Sequence, residues 1–289
     1  GRTFHLRRLD MIEIGLTGWF DHPLIASDRK RKLEDYASHF PFVEMDTSYY
    51  AIPSEKNIQN WMEKTPASFQ FIPKAYRSMT LHQSVKESNQ SLEELFNLFK
   101  ERFTPMLAAG KIKAFLFQFP PFFRYSEENL AYLKKVREWM GRWPIAIEFR
   151  HQSWYSEEHK KTTLQFLANH SFIQVTIDQP QTPSNSVPTI LTATNKKLSL
   201  YRLHGRNYSG WLNADNEKNW REHRTLHDYQ EKELLEIKKN SLILKEQTKE
   251  LAVIFNNNSG AHAAKNAKEL QEMMNLKFEG LHPQQLNLF

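Results

Sequence analysis

Charged and amide side chains recur near the carboxyl ends of the strand-like segments of this chain. The alternation of side chains along each segment places the following residues on one face: Glu44 and Asp46, Gln118, Glu148 and Arg150, Thr176 and Asp178, Arg202 and His204, and Asn256. If the strands run parallel in one sheet, their carboxyl ends lie at the same edge and these groups converge. Burying so many polar groups is costly unless each finds a partner. The pattern therefore favours a ligand site over a purely structural polar network.

Five of these residues can transfer protons or stabilise charge, and they are the candidate catalytic residues: Glu44, Asp46, Glu148, Asp178 and His204. Two facing carboxyl groups would suit a glycosidase, but the sequence leaves the choice of pair open. His204 together with the acids would suit a divalent-metal hydrolase, although no H-E-x-x-H spacing is present. A serine hydrolase is disfavoured because the G-x-S-x-G elbow is absent.

Several cationic residues follow the strands and argue for an anionic ligand. Arg150, Arg202 and Arg206 would compete with a metal ion and would more naturally clamp a phosphate or carboxylate. Anion binding is therefore preferred to a divalent metal, and the metal content stays open. Lys74 follows the third strand, where a Schiff-base lysine could lie, but the simpler interpretation is a counter-ion to Glu44 or to a bound anion.

The loops after the seventh and eighth strands predict a phosphate site. In many α/β barrels these two loops bind phosphate through backbone amides and a helix N-terminus. Here the first loop holds Gly205 and Arg206, and the second runs from Asn256 and Asn257 to Ser259, just before a helical segment. We expect Arg206, the amides near Gly205 and the helix after Ser259 to form one anion pocket. The alternative is that Ser259 is an ordinary helix cap and Gly205 an ordinary turn residue.

Aromatic residues also accompany the strand ends: Trp19, Tyr49, Tyr50, Tyr76, Phe122, Phe123, Trp154, Tyr155, Tyr208 and Trp211. Flat rings around a polar mouth can stack on bases or sugars. Packing of loops is the commoner use of such rings, so we expect about half of them to serve that role. Trp19 is retained as a candidate ligand-binding residue.

Eight strand-like runs alternate with amphipathic helical segments, and this order predicts a parallel (β/α)8 TIM-type barrel. The strands are expected at Ile12–Gly15, Phe42–Asp46, Phe69–Pro73, Ala114–Phe119, Ile145–Phe149, Ile173–Asp178, Leu198–Leu203 and Leu251–Asn256. Only the sixth crossover, Gln179–Asn195, lacks a helical pattern and reads as an irregular loop rich in Pro, Thr, Ser and Asn. One barrel domain over residues 11–279 is expected, with an N-terminal extension at 1–10 and a tail at 280–289.

Composition limits the class of protein. The 289 residues are typical of one α/β barrel, which usually takes about 250. The absence of cysteine excludes disulfides, thiolate metal sites and a cysteine nucleophile, and favours an intracellular, cytoplasmic protein. No apolar run of 18 residues predicts a membrane span. The net charge of +6 leans modestly toward an anionic partner such as nucleic acid.

Six sequence blocks resemble the landmarks of the YecE-like family, catalogued as a domain of unknown function, number 72. They are Ile14–Trp19, Val43–Tyr50, Gln118–Phe123, Glu148–Trp154, Arg202–Arg206 and Phe255–Asn257. The resemblance covers nearly the whole chain and implies a TIM-type barrel, but it supplies no reaction. Asp46 stands where the resemblance leads us to expect Asn in many relatives, which permits a carboxylate role at this position in this chain.

The last five residues carry a second resemblance. Gln285-Leu286-Asn287-Leu288-Phe289 is similar to the peptide by which bacterial replication and repair proteins dock on the DNA sliding clamp. In that mode Leu and Phe fill an apolar pocket and the Gln amide binds at its edge. Gly280 and Pro283 precede the motif, so we expect a tether that leaves the barrel. The alternative is a tail that packs Leu288 and Phe289 on its own barrel.

These observations together predict a barrel whose mouth binds a phosphate-bearing, nucleic-acid-related ligand and hydrolyses a phosphoester or glycosidic bond. The clamp-like tail would link this activity to DNA maintenance. Two alternatives stay open: a non-catalytic nucleic-acid or partner adaptor, and a sugar-active hydrolase. An adaptor has no need of Glu44, Asp46, Glu148 and Asp178 beside Arg and His, whereas an enzyme does.

Overall fold

The chain forms a parallel eight-stranded barrel, as the sequence predicts. The computed structural model describes residues 11–26, 28–84, 90–212 and 220–284. The strands are β1 Ile12–Thr17, β2 Phe42–Met45, β3 Gln70–Pro73, β4 Phe115–Gln118, β5 Ile145–Glu148, β6 Ile173–Asp178, β7 Leu198–Leu203 and β8 Glu250–Phe255. They pair in parallel in the order β3-β2-β1-β8-β7-β6-β5-β4. Isolated bridges join Phe71 to Ile112 and Lys74 to Leu116, so the sheet closes between β3 and β4.

Helices surround the barrel and connect its strands. They are α1 Lys32–Ala37, α2 Thr47–Tyr50, α3 Glu55–Glu63, α4 Leu92–Ala108, α5 Glu127–Met140, α6 Lys160–Asn169, α7 Tyr208–Leu212, α8 Trp220–Arg224, α9 Glu231–Glu246 and α10 His262–Met273. Ser54, Ser91 and Ser126 begin α3, α4 and α5 by accepting a hydrogen bond from a backbone N–H of the first turn. Across the described residues, no helix is long and apolar enough to cross a membrane.

The sixth crossover contains no helix, as predicted, and outward-facing side chains of β6 hold it in place. Thr176 Oγ1 donates to the carbonyl of Ile190 at 2.7 Å, and Gln174 Nε2 donates to the carbonyl of Thr192 at 2.9 Å. The crossover therefore lies along the outside of β6, where a helix would otherwise cover the strand. Polar groups on that face of the strand satisfy the backbone of an extended segment.

The residues of β6 that point into the barrel differ from the predicted ones by a shift of one position. Ile177 lies in register with Arg202 of β7, and Arg202 points into the barrel. Neighbours in register share a face, so Ile177 and Gln179 face inward, while Thr176 and Asp178 face the outer layer. A shift of one residue exchanges the two faces of a strand, and Asp178 is thereby removed from the barrel mouth.

The barrel interior is tightly packed in the half that lies toward the amino-terminal ends of the strands. The ring of Phe42 fills the space beside Gly15, where an added Cβ would lie 2.6 Å from the ring. Below it, the Lys113 ammonium donates to the carboxylates of Glu13 and Glu250 and closes the amino-terminal end. In the part of the chain that the structure describes, the interior is therefore open to a ligand at the carboxyl-terminal end and closed at the amino-terminal end.

The segment expected to be a free tether lies against the amino-terminal end of the barrel as far as Gln284. Ser68 Oγ donates to the carbonyl of Gly280 at 3.2 Å, and the His282 N–H donates to the carbonyl of Ala37 at 3.0 Å. The Gln284 amide reaches the carbonyl of Ser38 at 3.4 Å. The clamp-like residues Gln285–Phe289 lie outside the described residues.

Candidate functional site

A polar cavity of about 680 Å³ opens at the carboxyl-terminal end of the barrel. We call it the main pocket. Seven of the predicted site residues line it: Asp46, Lys74, Gln118, Glu148, Arg150, His204 and Asn256. Six different strands lead into these residues, so the barrel closure brings together groups that are far apart in sequence. This position agrees with the location of active sites in barrel enzymes.

The floor of the pocket is a buried ion network centred on Arg202. Its guanidinium donates to both oxygens of Glu44, at 2.7 and 3.0 Å, and to Oε1 of Glu148 at 2.6 Å. All three side chains are almost fully buried. Gln118 Nε2 donates to the other oxygen of Glu148 at 2.5 Å. The network ties β2, β4, β5 and β7 together and holds the carboxyl groups in fixed positions.

Glu44 and Asp46 form an acid pair with unlike proton affinities. Burial raises the pKa of Glu44 to about 8 although Arg202 opposes the shift, and repulsion from Asp46 adds to it. Burial would also raise the pKa of Asp46, but the Lys74 ammonium, 4.0 Å away, and the contact with Glu44 outweigh it and hold that pKa below its usual value. The two neighbouring carboxyl groups therefore differ in proton affinity, and Glu44 has the higher one.

His204 lies at the wall of the pocket with its ring held by two neighbours. Asn256 Nδ2 donates to Nδ1 at 2.9 Å, so the neutral ring carries its proton on Nε2. That nitrogen lies 3.4 Å from Oε2 of Glu148. Burial lowers the pKa of His204, and the Glu148 carboxylate opposes this only in part. The imidazole is therefore a neutral hydrogen-bond donor at physiological pH.

Cations outnumber carboxylates in the lining of the main pocket, as far as the described residues show. They are Lys74, Arg150, Arg221 and Arg224, against the carboxylates Asp46 and Glu148. Glu148 is already paired with Arg202 beneath the floor. Within the described part of the chain, Arg150 has neither a hydrogen bond nor an ion pair. The balance of charge predicts an anionic ligand.

The pKa of His82 is sensitive to the cations of the main pocket. Burial, together with the charges of Lys74, Arg150 and Arg221, lowers its pKa to about 4. The ring lies edge-on against Tyr49, with 5.2 Å between the centroids, and its Nδ1 is 2.8 Å from Thr80 Oγ1. His82 is thus a titratable group that reports the charge of the pocket.

The expected phosphate pocket around Arg206 is not assembled. Arg206 donates to both oxygens of Asp178, with Nη2 at 2.8 Å, and to Glu236 at 3.1 Å, so acids already balance its charge. The Gly205 amide donates to the Tyr229 hydroxyl at 2.8 Å, and that hydroxyl donates to Asp178. These groups lie between β6, β7 and α9, outside the main pocket, because Asp178 faces outward.

The loop after β8 serves the packing of the outer layer more than the pocket. The Asn257 side chain is buried and donates to the carbonyl of His227 and to Asn266. Ser259 Oγ lies 2.6 Å from Thr225 Oγ1 and belongs to a short 3-10 helix, Ser259–Ala261, before α10. Only Asn256 from this loop lines the main pocket.

A second cavity of about 420 Å³ adjoins the main pocket. We call it the side chamber. Trp19 and Ser259, two of the predicted ligand-binding residues, line the side chamber and not the main pocket. Four residues line both cavities: Asp46, Arg221, Thr225 and Asn256. The two cavities are therefore adjacent.

The aromatic residues divide between rim and core. Tyr49, Tyr50, Phe122 and Trp211 line the main pocket, and Phe122 is 68% exposed. Phe123 and Trp154 instead stack in the core with centroids 5.5 Å apart. The Trp154 ring lies 4.0 Å from that of Phe149 and is nearly parallel to it. These inner rings pack the loops after β4 and β5 and meet no ligand.

Several lining residues were not identified from the sequence. They are His82, Gln179, Arg221, Arg224 and Thr225. Gln179 was missed because of the one-residue error in the facing of β6. The others lie far along the chain from any strand end, and the only signal was the spacing of Arg221 and Arg224, which places both on one side of a helical turn. In the portion of the chain that the structure describes, no group of three or more His, Asp or Glu side chains is arranged to hold a metal ion.

Comparison with known proteins gives consistent matches over almost the full length. The family model described as Protein of unknown function DUF72 matches residues 13–287. UPF0759 protein YunF of Bacillus subtilis (strain 168) is 46% identical over 282 residues, which is 96% of this chain and 100% of that protein. UPF0759 protein YecE of Escherichia coli O157:H7 is 28% identical over 203 residues, covering 64% of this chain and 72% of that protein.

Solved structures agree with the fold. A DUF72 family protein of Enterococcus faecalis V583 superposes with a TM-score of 0.91 at 40% identity, covering 96% of this chain and all of that one. A DUF72 family protein of Thermotoga maritima MSB8 gives a TM-score of 0.78 at 29% identity, covering 92% and 99%.

Proposed function

The chain belongs to the DUF72 family of proteins of unknown function, and from that premise we propose that its main pocket binds a phosphate-bearing, nucleic-acid-related ligand. The observation that carries this proposal is the set of cations Lys74, Arg150, Arg221 and Arg224, which outnumber the carboxylates Asp46 and Glu148 among the described residues that line the cavity. Arginine is suited to phosphate because its planar fork donates two parallel hydrogen bonds. Aromatic rings at the rim suit a base or sugar attached to that phosphate.

We further propose that the pocket hydrolyses a phosphoester or glycosidic bond of this ligand. His204, neutral and protonated on Nε2, gives up the 3.4 Å contact of that nitrogen with Glu148 and donates a hydrogen bond to the oxygen on which negative charge develops. Asp46, charged and exposed to the pocket, takes up a proton from the attacking water as the water oxygen bonds to the phosphorus or the sugar carbon. The bond to the leaving oxygen breaks, and that oxygen takes a proton from solvent. Lys74 and Arg150 hold the phosphate in place, and Asn256 is a positioning residue that fixes the tautomer of His204.

Titration of His82 with and without inorganic phosphate tests the binding proposal. Phosphate adds negative charge beside the cations that lower the pKa of His82, so that pKa rises from about 4 toward the ordinary value near 6.5. The pKa of His82 is measured from the NMR signals of its ring across a pH series. His39 is an internal control because burial and Lys268 lower its pKa to about 4 and it does not line the main pocket. Its pKa will stay unchanged.

Two arginine variants test which arginine binds the phosphate. Arg150→Gln removes a charge that has no acid partner among the described residues, and it will weaken phosphate binding roughly 10- to 150-fold, the equivalent of about 1.5 to 3 kcal/mol. Arg206→Gln will leave phosphate binding unchanged, because Asp178 and Glu236 already neutralise that guanidinium. If Arg206→Gln weakens binding and Arg150→Gln does not, the anion lies at the loop after β7 and our assignment of the pocket is wrong.

We also propose that Gln285–Phe289 dock on the bacterial DNA sliding clamp, which would bring the pocket to sites of DNA synthesis. Support comes from the place where the described chain reaches Gln284, at the amino-terminal end of the barrel and opposite the main pocket. A partner held from that end would leave the pocket open. The motif itself supplies the Leu, Phe and Gln that such a peptide needs.

Deletion of residues 285–289 tests the clamp proposal. Binding to purified sliding clamp, followed by surface plasmon resonance, will be lost, while the melting temperature changes little because the contacts of Gly280–Gln284 remain. The double variant Leu288→Ala, Phe289→Ala is the matched control for chain length and will behave like the deletion. Full clamp binding by the truncated protein would refute the proposal, and a large fall in melting temperature would show that the tail packs on its own barrel.

A further inference from the structure

The side chamber differs in chemistry from the main pocket. Its lining contains the carboxylates Asp21, Asp46 and Glu222 but a single cation, Arg221. A second phosphate is disfavoured there because the acids would repel it. The chamber instead offers the ring of Phe20, which is 57% exposed, beside Trp19, with the two ring centroids 5.6 Å apart. This surface suits a flat, uncharged ring.

Two buried acceptor atoms of the side chamber lack partners. Asp46 Oδ1 and Asn258 Oδ1 have no hydrogen bond within the described part of the chain. Asn258 is held by its amide nitrogen, which donates to the carbonyl of Thr17 at 2.9 Å. A buried acceptor without a donor is unfavourable, so the complementary ligand carries N–H or O–H donors at its edge. An adenine, cytosine or guanine base and a sugar hydroxyl have such donors.

The sizes of the two cavities decide how much of a ligand they hold. Small-molecule sites usually occupy about 300 to 1,000 Å³. The main pocket at about 680 Å³ and the side chamber at about 420 Å³ each fall in that range, and they share Asp46, Arg221, Thr225 and Asn256 in their linings. Two adjacent cavities of this size suit a ligand of two linked units, with one unit in each cavity.

We infer that the ligand is a nucleic-acid strand of at least two nucleotides, with a phosphate in the main pocket and the outer nucleoside in the side chamber. This inference rests on the proposed function of the main pocket and names its substrate class. The base of the outer nucleoside stacks on Phe20, and its donors meet Asp46 Oδ1 and Asn258 Oδ1. The linkage between the units then lies beside Asp46 and Asn256, which line both cavities and place it within the proposed hydrolytic site.

Calorimetric titration with two probes tests this inference. The probes are deoxyadenosine 5′-monophosphate and the 5′-phosphorylated deoxyadenosine dinucleotide with a phosphorothioate linkage, which resists hydrolysis. The dinucleotide will bind wild-type protein about tenfold or more tightly than the mononucleotide, because one additional base stacks on an aromatic side chain. Phe20→Ala will reduce the affinity for the dinucleotide to that for the mononucleotide and leave mononucleotide binding unchanged.

Phe122→Ala is the matched control, because Phe122 is an exposed ring of similar size that lines the main pocket but not the side chamber. It will change the affinities for both probes by the same factor. Equal binding of the two probes to wild-type protein, or equal loss of both with Phe20→Ala, would overturn the inference while the main pocket remains an anion site. If neither probe nor inorganic phosphate binds, the proposed function fails, and the inference fails with it.

Discussion

Replacing Arg202 with methionine will lower the free energy of unfolding by about 3 to 5 kcal/mol. Methionine matches the length of the side chain but leaves the Glu148 carboxylate buried without its principal partner, which lies 2.6 Å away in the wild-type protein. It also removes both donors from Glu44. Urea unfolding at pH 8, followed by circular dichroism, measures the loss.

The loss will depend on pH in a defined direction. In the wild type, Arg202 and His204 hold the pKa of Glu148 well below its usual range against the effect of burial, so this residue stabilises the fold above the pKa of an unfolded Glu. In the variant, burial raises the pKa of Glu148, and the folded state takes up a proton as the pH falls. The deficit relative to wild type will therefore be smaller at pH 5 than at pH 8.

Arg150→Met is the matched control for this experiment. Arg150 also projects from the end of a strand into the pocket, yet no ion pair to it is found among the described residues. Removing the Arg150 guanidinium leaves no buried carboxylate without its partner, so the free energy of unfolding will change by no more than about 1 kcal/mol. Equal destabilisation by the two variants would show that the network around Arg202 does not carry the stability assigned to it.

Removing the imidazole with His204→Ala will lower kcat about 100- to 1,000-fold, the effect of losing one preorganised donor to a developing oxyanion. The fold will persist, because Arg202 and Gln118 continue to hold Glu148. Products released from a single-stranded DNA oligonucleotide are followed by chromatography, and a thermal melt of the same sample confirms folding. His39→Ala, at a histidine outside both cavities, will retain the wild-type rate.

The variant Asn256→Leu tests whether Asn256 positions His204 for catalysis or has only a structural role. Without the amide donor to Nδ1, the proton of His204 is no longer confined to Nε2, so the pH profile of kcat will shift as well as its magnitude. Turnover by His204→Ala at the wild-type rate would show that the imidazole is a structural part of the pocket wall. Binding of the oligonucleotide without any turnover in the wild type would favour the non-catalytic adaptor, and hydrolysis of neutral glycosides alone would favour a sugar-active enzyme.

The periodicity of the sequence was sufficient to predict the barrel. Alternating apolar strands and amphipathic helices are local patterns, and burial of one face per element forces them into a closed α/β layer structure. The same alternation placed Glu44, Asp46, Glu148, Arg150, Arg202 and His204 at the mouth end, since side chains two apart share a face of a strand. The irregular sixth crossover was also readable, from its lack of a helical pattern.

The prediction was wrong where one residue of register mattered. The alternation of side chains along β6 is compatible with either face of the strand pointing into the barrel. The pairing of Ile177 with Arg202 decides which face does so. Gln174 and Thr176 face outward because the crossover, which takes the place of a helix, needs donors for its backbone. Asp178 follows them outward and neutralises Arg206, which is why the expected phosphate pocket is absent from the loop after β7.

The sequence by itself determined the fold, the end of the barrel that carries the site and most of its strand-borne groups, because each depends on short-range periodicity. The tertiary structure alone decided which charges remain free. Arg150 and Arg206 look alike in sequence, but pairing across elements leaves Arg150 unpaired among the described residues while Asp178 and Glu236 balance Arg206. Arg221, Arg224 and His82 reach the pocket through long connections, and their positions depend on contacts between segments distant in the chain.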